Sequence, residues 1–347
     1  MERLKLALLG CGAIARFHLD GIKERVPRID VTAVIDRDPG RAKTFAGETG
    51  ATVFTSLEEA LEQGDFDAVD IMLPHDFHET ATLACFDVGK HVMLEKPMAP
   101  TLEACDRILK AAAETDLVFM VGENAQYWPE IVKAKEAIDE GLIGEVITAR
   151  AAYVAEFDDY WFKEGHDWRL SQKKTGGGVT VDGGSHWIRP LRMWMGEIEE
   201  VVGVLGYPLK QMEGESLMRS IVRFQSGKSA ILDAMMVDTV FAPDPWWRIT
   251  GSQGELTIEA GFNGGIKLWD KDNREGKQLM EPEGYPRSFG HELADFTSAV
   301  IDGTSLAAGP EMALGELRTA HAIYRSAEHG RWEKVWEKGS EVGRIRE

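Results

Sequence analysis

A chain of 347 residues is too long for one ordinary compact core, so two domains are the natural expectation. Hydrophobic residues at 44% and charged residues at 28% give the balance of a soluble globular protein. With 39 basic against 58 acidic residues the formal charge is −19, which argues against nucleic acid or an anionic membrane as the main partner. A phosphorylated ligand stays open, because a few local arginines outweigh the global field. Cys11, Cys85 and Cys105 show no metal-ligand spacing and read as reduced thiols. Arg3 and Lys5 precede Leu8-Leu9-Gly10-Cys11 in the manner of a lipoprotein signal, but the uncharged apolar run covers only Leu6 to Leu9. A signal core needs roughly 7–15 apolar residues, and no later segment reaches the roughly 20 of a spanning helix. A cytoplasmic location is expected, with no membrane partner.

From Leu4 to about Val121 short apolar runs alternate with amphipathic stretches. "LKLALLG" is followed by "AIARFHLDGIKERV", and "IDVTAVID" by "PGRAKTFAGETG", whose Pro39 suits a first helical turn. "ATVF" leads to "SLEEALEQG", where Ser56 and Glu59 form a capping box. "DAVDIML" leads to "DFHETATLACFDVG", "HVMLEKP" to "LEACDRILKAAAET", and "LVFMVG" closes the series. This rhythm predicts a parallel sheet wrapped on both faces. "YWPEIVKAKEAIDEGLIG" adds a helix ended by Gly141. Beyond Gly144 period-2 strands follow one another without crossover helices: "EVITARAAYVAEF", "EVVGVLGYPL", "LMRSIVRFQSG", "KSAILDAMMV", "WWRITGSQGELTIEA" and "GGIKLWDK". They predict an antiparallel or mixed sheet. One helix, "GGSHWIRPLRMWMG", interrupts them, and two more are expected near residues 289–302 and 310–329. The expected domains are 1–122, binding a dinucleotide, and 123–347, binding substrate, with the terminal helices free to return to the first.

Gly10-x-Gly12-x-x-Ala15 follows a strand and opens a helix. The second apolar run ends in Asp36, placed to accept hydrogen bonds from a ribose diol. A pyrophosphate would rest on the helix N-terminus, against Gly10, Gly12, Ala13, Ile14 and Ala15. Asp36 should repel a 2′-phosphate and so favours NAD, while Arg37 directly after it leaves NADP possible. "EKP" at 95–97 ends the fifth run, at the carboxyl edge of a parallel sheet, where open α/β folds bind ligands. Glu95 and Lys96 would border a nicotinamide there, with Pro74, His75 and His78 on the loop after the fourth strand. His75 and His78 lack a third ligand at suitable spacing, so no metal is expected.

In "GGGVTVDGGSHW" Asp182 and His186 are four apart and would share a helix face. Histidine is the usual proton carrier near neutral pH, and the glycines would let the backbone approach a ligand. The segment alone is equally consistent with a capping Asp and a histidine satisfied in the core. Pro190 should kink or shorten this helix. Nine of the ten tryptophans lie after residue 150. Trp161, Trp168 and Trp187 flank the site, although core or interface packing accounts for most of the tryptophans.

Together the glycine loop, "LPHDFH" at 73–78, "EKP", "WR" at 168–169 and "GGGVTVDGGSH" resemble the family of glucose–fructose oxidoreductases, inositol dehydrogenases and rhizopine-catabolism oxidoreductases, over almost the whole chain. The resemblance implies a Rossmann domain followed by an α/β domain with a large, mostly antiparallel open sheet, often used for oligomerisation. A homodimer or homotetramer is therefore expected. It also implies an active-site lysine, aspartate and histidine, matching Lys96, Asp182 and His186. After the sixth strand the chain departs from the family pattern with "GENAQYWP", which brings Glu123, Asn124 and Tyr127 toward the ligand; Trp168 and Arg169 complete the substrate contacts.

The expected activity is NAD(P)-dependent oxidation of a secondary hydroxyl of a sugar, sugar derivative or cyclitol. His186 would take the hydroxyl proton, Lys96 would stabilise the oxygen, and Asp182 would orient the imidazole or bind a neighbouring hydroxyl. Two alternatives are a glycoside-cleaving enzyme using transient oxidation and elimination, and a sensor that binds dinucleotide without turnover.

Overall fold

The computed structural model describes residues 2–157, 162, 167–261 and 263–336. The first sheet has six parallel strands in the order β3-β2-β1-β4-β5-β6. They are β1 (Leu4–Leu9), β2 (Ile29–Ile35), β3 (Thr52–Phe54), β4 (Ala68–Ile71), β5 (His91–Glu95) and β6 (Phe119–Gly122). Both faces are buried, which is why these strands read as continuous apolar runs. Along β1, Leu4, Leu6 and Leu8 enter one core while Ala7 and Leu9 enter the other. Five helices follow the first five strands: α1 (Ala13–Arg25), α2 (Pro39–Thr49), α3 (Leu57–Gln63), α4 (His78–Asp87) and α5 (Leu102–Ala113). Asp38 caps α2 ahead of Pro39, and the Ser56 hydroxyl accepts the Glu59 N–H at the start of α3. The strand order reverses between β1 and β4, and a crevice opens there at the carboxyl ends of the strands.

After α6 (Pro129–Asp139) come β7 (Val146–Glu156), two short helices α7 (Gln172–Thr175) and α8 (Val179–Asp182), and α9 (Ser185–Met195). The remaining strands are β8 (Ile198–Gly206), β9 (Leu217–Phe224), β10 (Ser229–Val237), β11 (Trp247–Gly251), β12 (Gly254–Ile258), β13 (Ile266–Asp270), β14 (Lys277–Gln278) and β15 (Glu333–Lys334). With β7 they form a nine-stranded sheet, order β14-β13-β12-β11-β7-β10-β9-β8-β15, antiparallel except between β7 and β10. Met218, Ser220, Val222 and Phe224 of β9 are buried under the helices, while the opposite face carries half-exposed Ile147, Val204, Ile221 and Ile231. Among the described residues no helix is long and apolar enough to cross a membrane.

The helix expected from about 289 begins earlier, as α10 (Tyr285–Asp302). Its start is set at long range, because the buried Glu130 carboxylate of α6 accepts the Glu283 and Gly284 N–H groups. The last helix is α11 (Ala313–His329). Both return to the first domain: Leu293 and Phe296 join the core beneath α1, and Leu314, Leu317 and Ala320 join the core beneath α5. Helix α9 is not shortened by Pro190. It runs on to Met195, because Ile188, Leu191, Trp194 and Met195 are all buried and their packing outweighs the lost hydrogen bond.

Helices α1 and α10 touch through their backbones at Gly21 and Gly290. A Cβ on Gly21 would lie 2.7 Å from the Gly290 nitrogen. Gly21→Ala should therefore lower the unfolding free energy by about 1–3 kcal/mol, the usual cost of overpacking, measured by denaturant unfolding; an unchanged midpoint would show that the two helices can part without cost.

Candidate active site

Gly10 has φ +96, and a Cβ there would lie 2.5 Å from the Met72 carbonyl oxygen, so only glycine fits this turn. Gly12 caps α1 without a side-chain hydrogen bond, and the first turn holds no acidic residue. The positive end of the helix dipole thus faces the crevice with no acidic side chain of its own turn to neutralise it. Ala15 is fully buried and packs α1 onto the sheet instead of bordering the crevice. Asp36 fixes the loop: one carboxylate oxygen accepts the Cys11 N–H at 2.8 Å, the other the Asp38 N–H at 2.8 Å.

A cleft of about 470 Å³ runs from this loop to the second sheet. Gly10, Gly12, Ala13, Ile14, Asp36, Arg37, Pro74 and His75 line its first half. Glu95, Lys96, Trp168, Arg169, Asp182 and His186 line the second, with Tyr153, Trp187, Met236 and Tyr285 as further walls. The Lys96 ammonium donates to the Asp182 carbonyl at 2.7 Å and to its carboxylate at 3.2 Å. The other Asp182 oxygen lies 3.4 Å from Arg169 Nε, and the Arg169 guanidinium stacks over Trp168. Burial alone would raise the Asp182 pKa, but Lys96 and Arg169 outweigh it and hold the carboxyl well below the usual range. His75 donates Nδ1–H to the Thr175 carbonyl at 3.1 Å, and burial keeps its ring neutral, leaving Nε2 as an acceptor.

Asp182 and His186 do not share one helix. Asp182 closes α8, Gly183 and Gly184 form a wider turn in which the Gly184 N–H donates to the Val179 carbonyl, and His186 lies in the first turn of α9. The imidazole is oriented by Glu123, not Asp182. Its Nδ1 donates to the Glu123 carboxylate at 2.6 Å, a pair almost wholly buried. Burial disfavours a charged Glu123, but His186, Arg189 and Lys96 bring its pKa down to about 2. Behind it Arg189 makes a two-pronged pair with Glu316 at 2.8 and 2.9 Å, and Arg192 joins Glu316 to Glu197.

Three expected contacts fall elsewhere. Asn124 donates to the Ser288 hydroxyl at 2.7 Å in the core, and Tyr127 donates to Asp295 at 2.6 Å; both fasten the chain after β6 to α10. His78 is fully buried, with its ring nitrogens 2.9 Å from the Pro97 and Leu73 carbonyls. The glycines at 176–178 serve close approach within the protein: Cβ atoms there would meet Pro100, Tyr324 and Glu215. Trp161 lies outside the described residues. The sequence offered one sign of the Glu123 pairing, an acid directly after a strand's carboxyl end; the Arg189–Glu316–Arg192 chain behind it had none.

Such a cleft, between a doubly wound sheet with a glycine loop and a second α/β domain, defines a two-domain dinucleotide-binding protein. Residues 4–123 match the family model for the NAD-binding Rossmann fold of the GFO_IDH_MocA oxidoreductases, and residues 135–335 match that for their C-terminal alpha/beta domain. The chain belongs to this oxidoreductase family. It is 29% identical over 330 residues to 1,5-anhydro-D-fructose reductase of Ensifer adhaerens, covering 93% of this chain and 96% of that protein. It is 29% identical over 205 residues to 1-carboxy-3-chloro-3,4-dihydroxycyclohexa-1,5-diene dehydrogenase of Comamonas testosteroni, a match covering 58% of this chain and about half, 51%, of that relative's length. The crystal structure of an oxidoreductase from Thermotoga maritima superposes with a TM-score of 0.84 at 27% identity, covering 96% of this chain and 98% of that one.

A carboxyl with a depressed pKa stabilises the fold above its unfolded pKa and loses that contribution as pH falls through the folded one. For Glu123 the window runs from about pH 4.3 in the unfolded chain down to about 2. The urea midpoint should hold from neutral pH to about 5 and then fall, and Glu123→Gln should make that fall shallower. An equal fall in the variant would place the acid sensitivity in other carboxylates.

Proposed function

We propose that the chain is an NAD-dependent dehydrogenase that oxidises a secondary hydroxyl of a sugar, sugar derivative or cyclitol. The observation that carries this reading is that Lys96 of the first domain and His186 of the second border one cleft with the glycine loop. NAD, when bound along that loop, supplies the hydride acceptor. Gly10, Gly12 and the α1 N-terminus would hold its pyrophosphate, and Asp36 its adenosine ribose. His186 Nε2 takes the hydroxyl proton, because Nδ1–H is already committed to Glu123, whose carboxylate stabilises the imidazolium that forms. Lys96 donates to the same oxygen as negative charge develops on it. Asp182 aims the Lys96 ammonium and, with Arg169, binds a hydroxyl next to the reacting one. The aromatic walls Trp168, Trp187 and Tyr153 suit the C–H faces of a ring. The anhydro sugar and the dihydroxylated ring in the names of the two relatives accord with a cyclic secondary alcohol.

Turnover followed at the reduced-nicotinamide absorbance, over sugars, cyclitols and glycosides, tests the reading; no turnover with any of them counts against it. His186→Ala should lower kcat by about 10²–10⁴-fold with NAD affinity nearly intact, and full activity in that variant would remove His186 from the mechanism. NAD should bind more tightly than NADP, and Asp36→Ala should narrow the difference. Equal affinity of the unmodified protein for both would shift the recognition to Arg37.

A further inference from the structure

One buried ionisable cluster takes no part in that mechanism. His18, on the inner face of α1, has Nδ1 2.8 Å from Asp70 of β4 and Nε2 2.9 Å from Glu95 at the end of β5. Two carboxylates on two ring nitrogens are both satisfied only by the doubly protonated ring. Burial favours neutral His18, but Asp70 and Glu95 outweigh it and raise its pKa well above the ordinary value. Glu292 of α10 is fully buried and 4.0 Å from the same Nε2, and neither of its oxygens has a hydrogen-bond partner among the described residues. The groups facing it are Glu95 and Asp70 across the cluster, Glu123 after β6, Tyr285 on its own helix, Tyr127 from the turn before α6, and His18 as the cation. With all three carboxyls ionised, one imidazolium would face three negative charges out of water, an arrangement that costs several kcal/mol. Burial, with Glu95, Asp70 and Glu123, outweighs the pull of His18 and raises the Glu292 pKa well above the ordinary carboxylate value, which favours the protonated form.

Glu95 belongs both to this cluster and to the wall of the cleft beside Lys96. We propose that the His18–Asp70–Glu95–Glu292 cluster distinguishes the two redox states of the cofactor: the cationic nicotinamide of NAD⁺ beside Glu95 drives the Glu292 proton into solution, and the neutral ring of NADH does not. A positive charge brought into the low-dielectric cleft favours the ionised carboxylate. By reciprocity the ionised cluster binds NAD⁺ better than NADH. The inference rests on the reading that this cleft holds NAD.

Calorimetric titration of the full chain with NAD⁺ and with NADH, each in phosphate and in Tris, reads the protons exchanged from the difference in apparent enthalpy. Release is expected with NAD⁺ and not with NADH. Because binding then expels a proton, NAD⁺ affinity should rise with pH over the range in which Glu292 is protonated in the free protein, while NADH affinity stays level. Glu292→Gln, whose amide keeps the shape of the protonated carboxyl, should abolish both the release and the slope. Equal release with the two cofactors overturns the proposal. So does release that survives Glu292→Gln, which would assign the proton to His186 or another cleft group. If the variant does not fold, the two pH slopes of the unmodified protein decide, and equal slopes overturn the proposal. Binding of neither cofactor defeats the NAD reading and this inference together; binding of both without differential release defeats the inference alone.

Discussion

Lys96 and Asp182 come from different domains and pair across the boundary between them, with Arg169 against the other Asp182 oxygen. Both side chains are mostly buried, so each ion has lost much of its hydration, a penalty of several kcal/mol that only close pairing offsets. The pair therefore fixes a distance between the end of β5 and the end of α8. The rest of the cleft follows from that distance. The Lys96 ammonium also holds the Asp182 carbonyl, so backbone as well as side chain is tied across the boundary. Gly176 lets the loop before α8 pass against Pro100, just after the EKP segment. Glu215, in the loop before β9, then accepts the Gly178 and Thr180 N–H groups and so caps α8. A loose lysine in a wide crevice would have many positions; this one has few.

The first domain was legible from the sequence because its signals are local. Strand runs, capping residues and the glycine loop each depend on neighbours within a turn or two, and Gly10, Asp36 and Glu95 stand at the strand ends that their spacing implied. Lys96, Asp182, His186, Trp168 and Arg169 were marked by motif and do border one cleft. What escaped was set by contacts between distant parts of the chain. Asn124 and Tyr127 carry polar groups suited to a ligand, yet Ser288 and Asp295 of α10 claim them, at separations of 164 and 168 residues. The residue that orients His186 is set in the same way, and of the two roles open to Asp182 from the sequence, orienting the imidazole falls to Glu123 instead. Asp182 is four positions away, but it ends one short helix and His186 lies in the first turn of the next, and Glu123, 63 residues away, accepts the Nδ1–H hydrogen bond. The N-terminus of α10 carries no local signal, because its cap is Glu130, on another helix.

Behind His186 the protein uses buried charge where apolar packing is often as stable or more so. His186, Arg189 and Arg192 follow one another at three-residue spacing on the same side of α9, and Glu123, Glu316 and Glu197 alternate with them. Replacing such a chain with hydrophobic residues of similar volume is often neutral or stabilising. An apolar core, however, accepts small repacking shifts, whereas a two-pronged arginine–carboxylate pair admits essentially one orientation. Arg189 and Arg192 both bind Glu316, so α9 is registered against α11 at two points along its length. A helix held in that way cannot rotate without breaking charge pairs that have no access to water. Rotation is the motion that would move His186 away from Glu123 and from the cleft that Lys96 also borders. The ion chain thus converts a cost in folding free energy into a fixed direction for one imidazole.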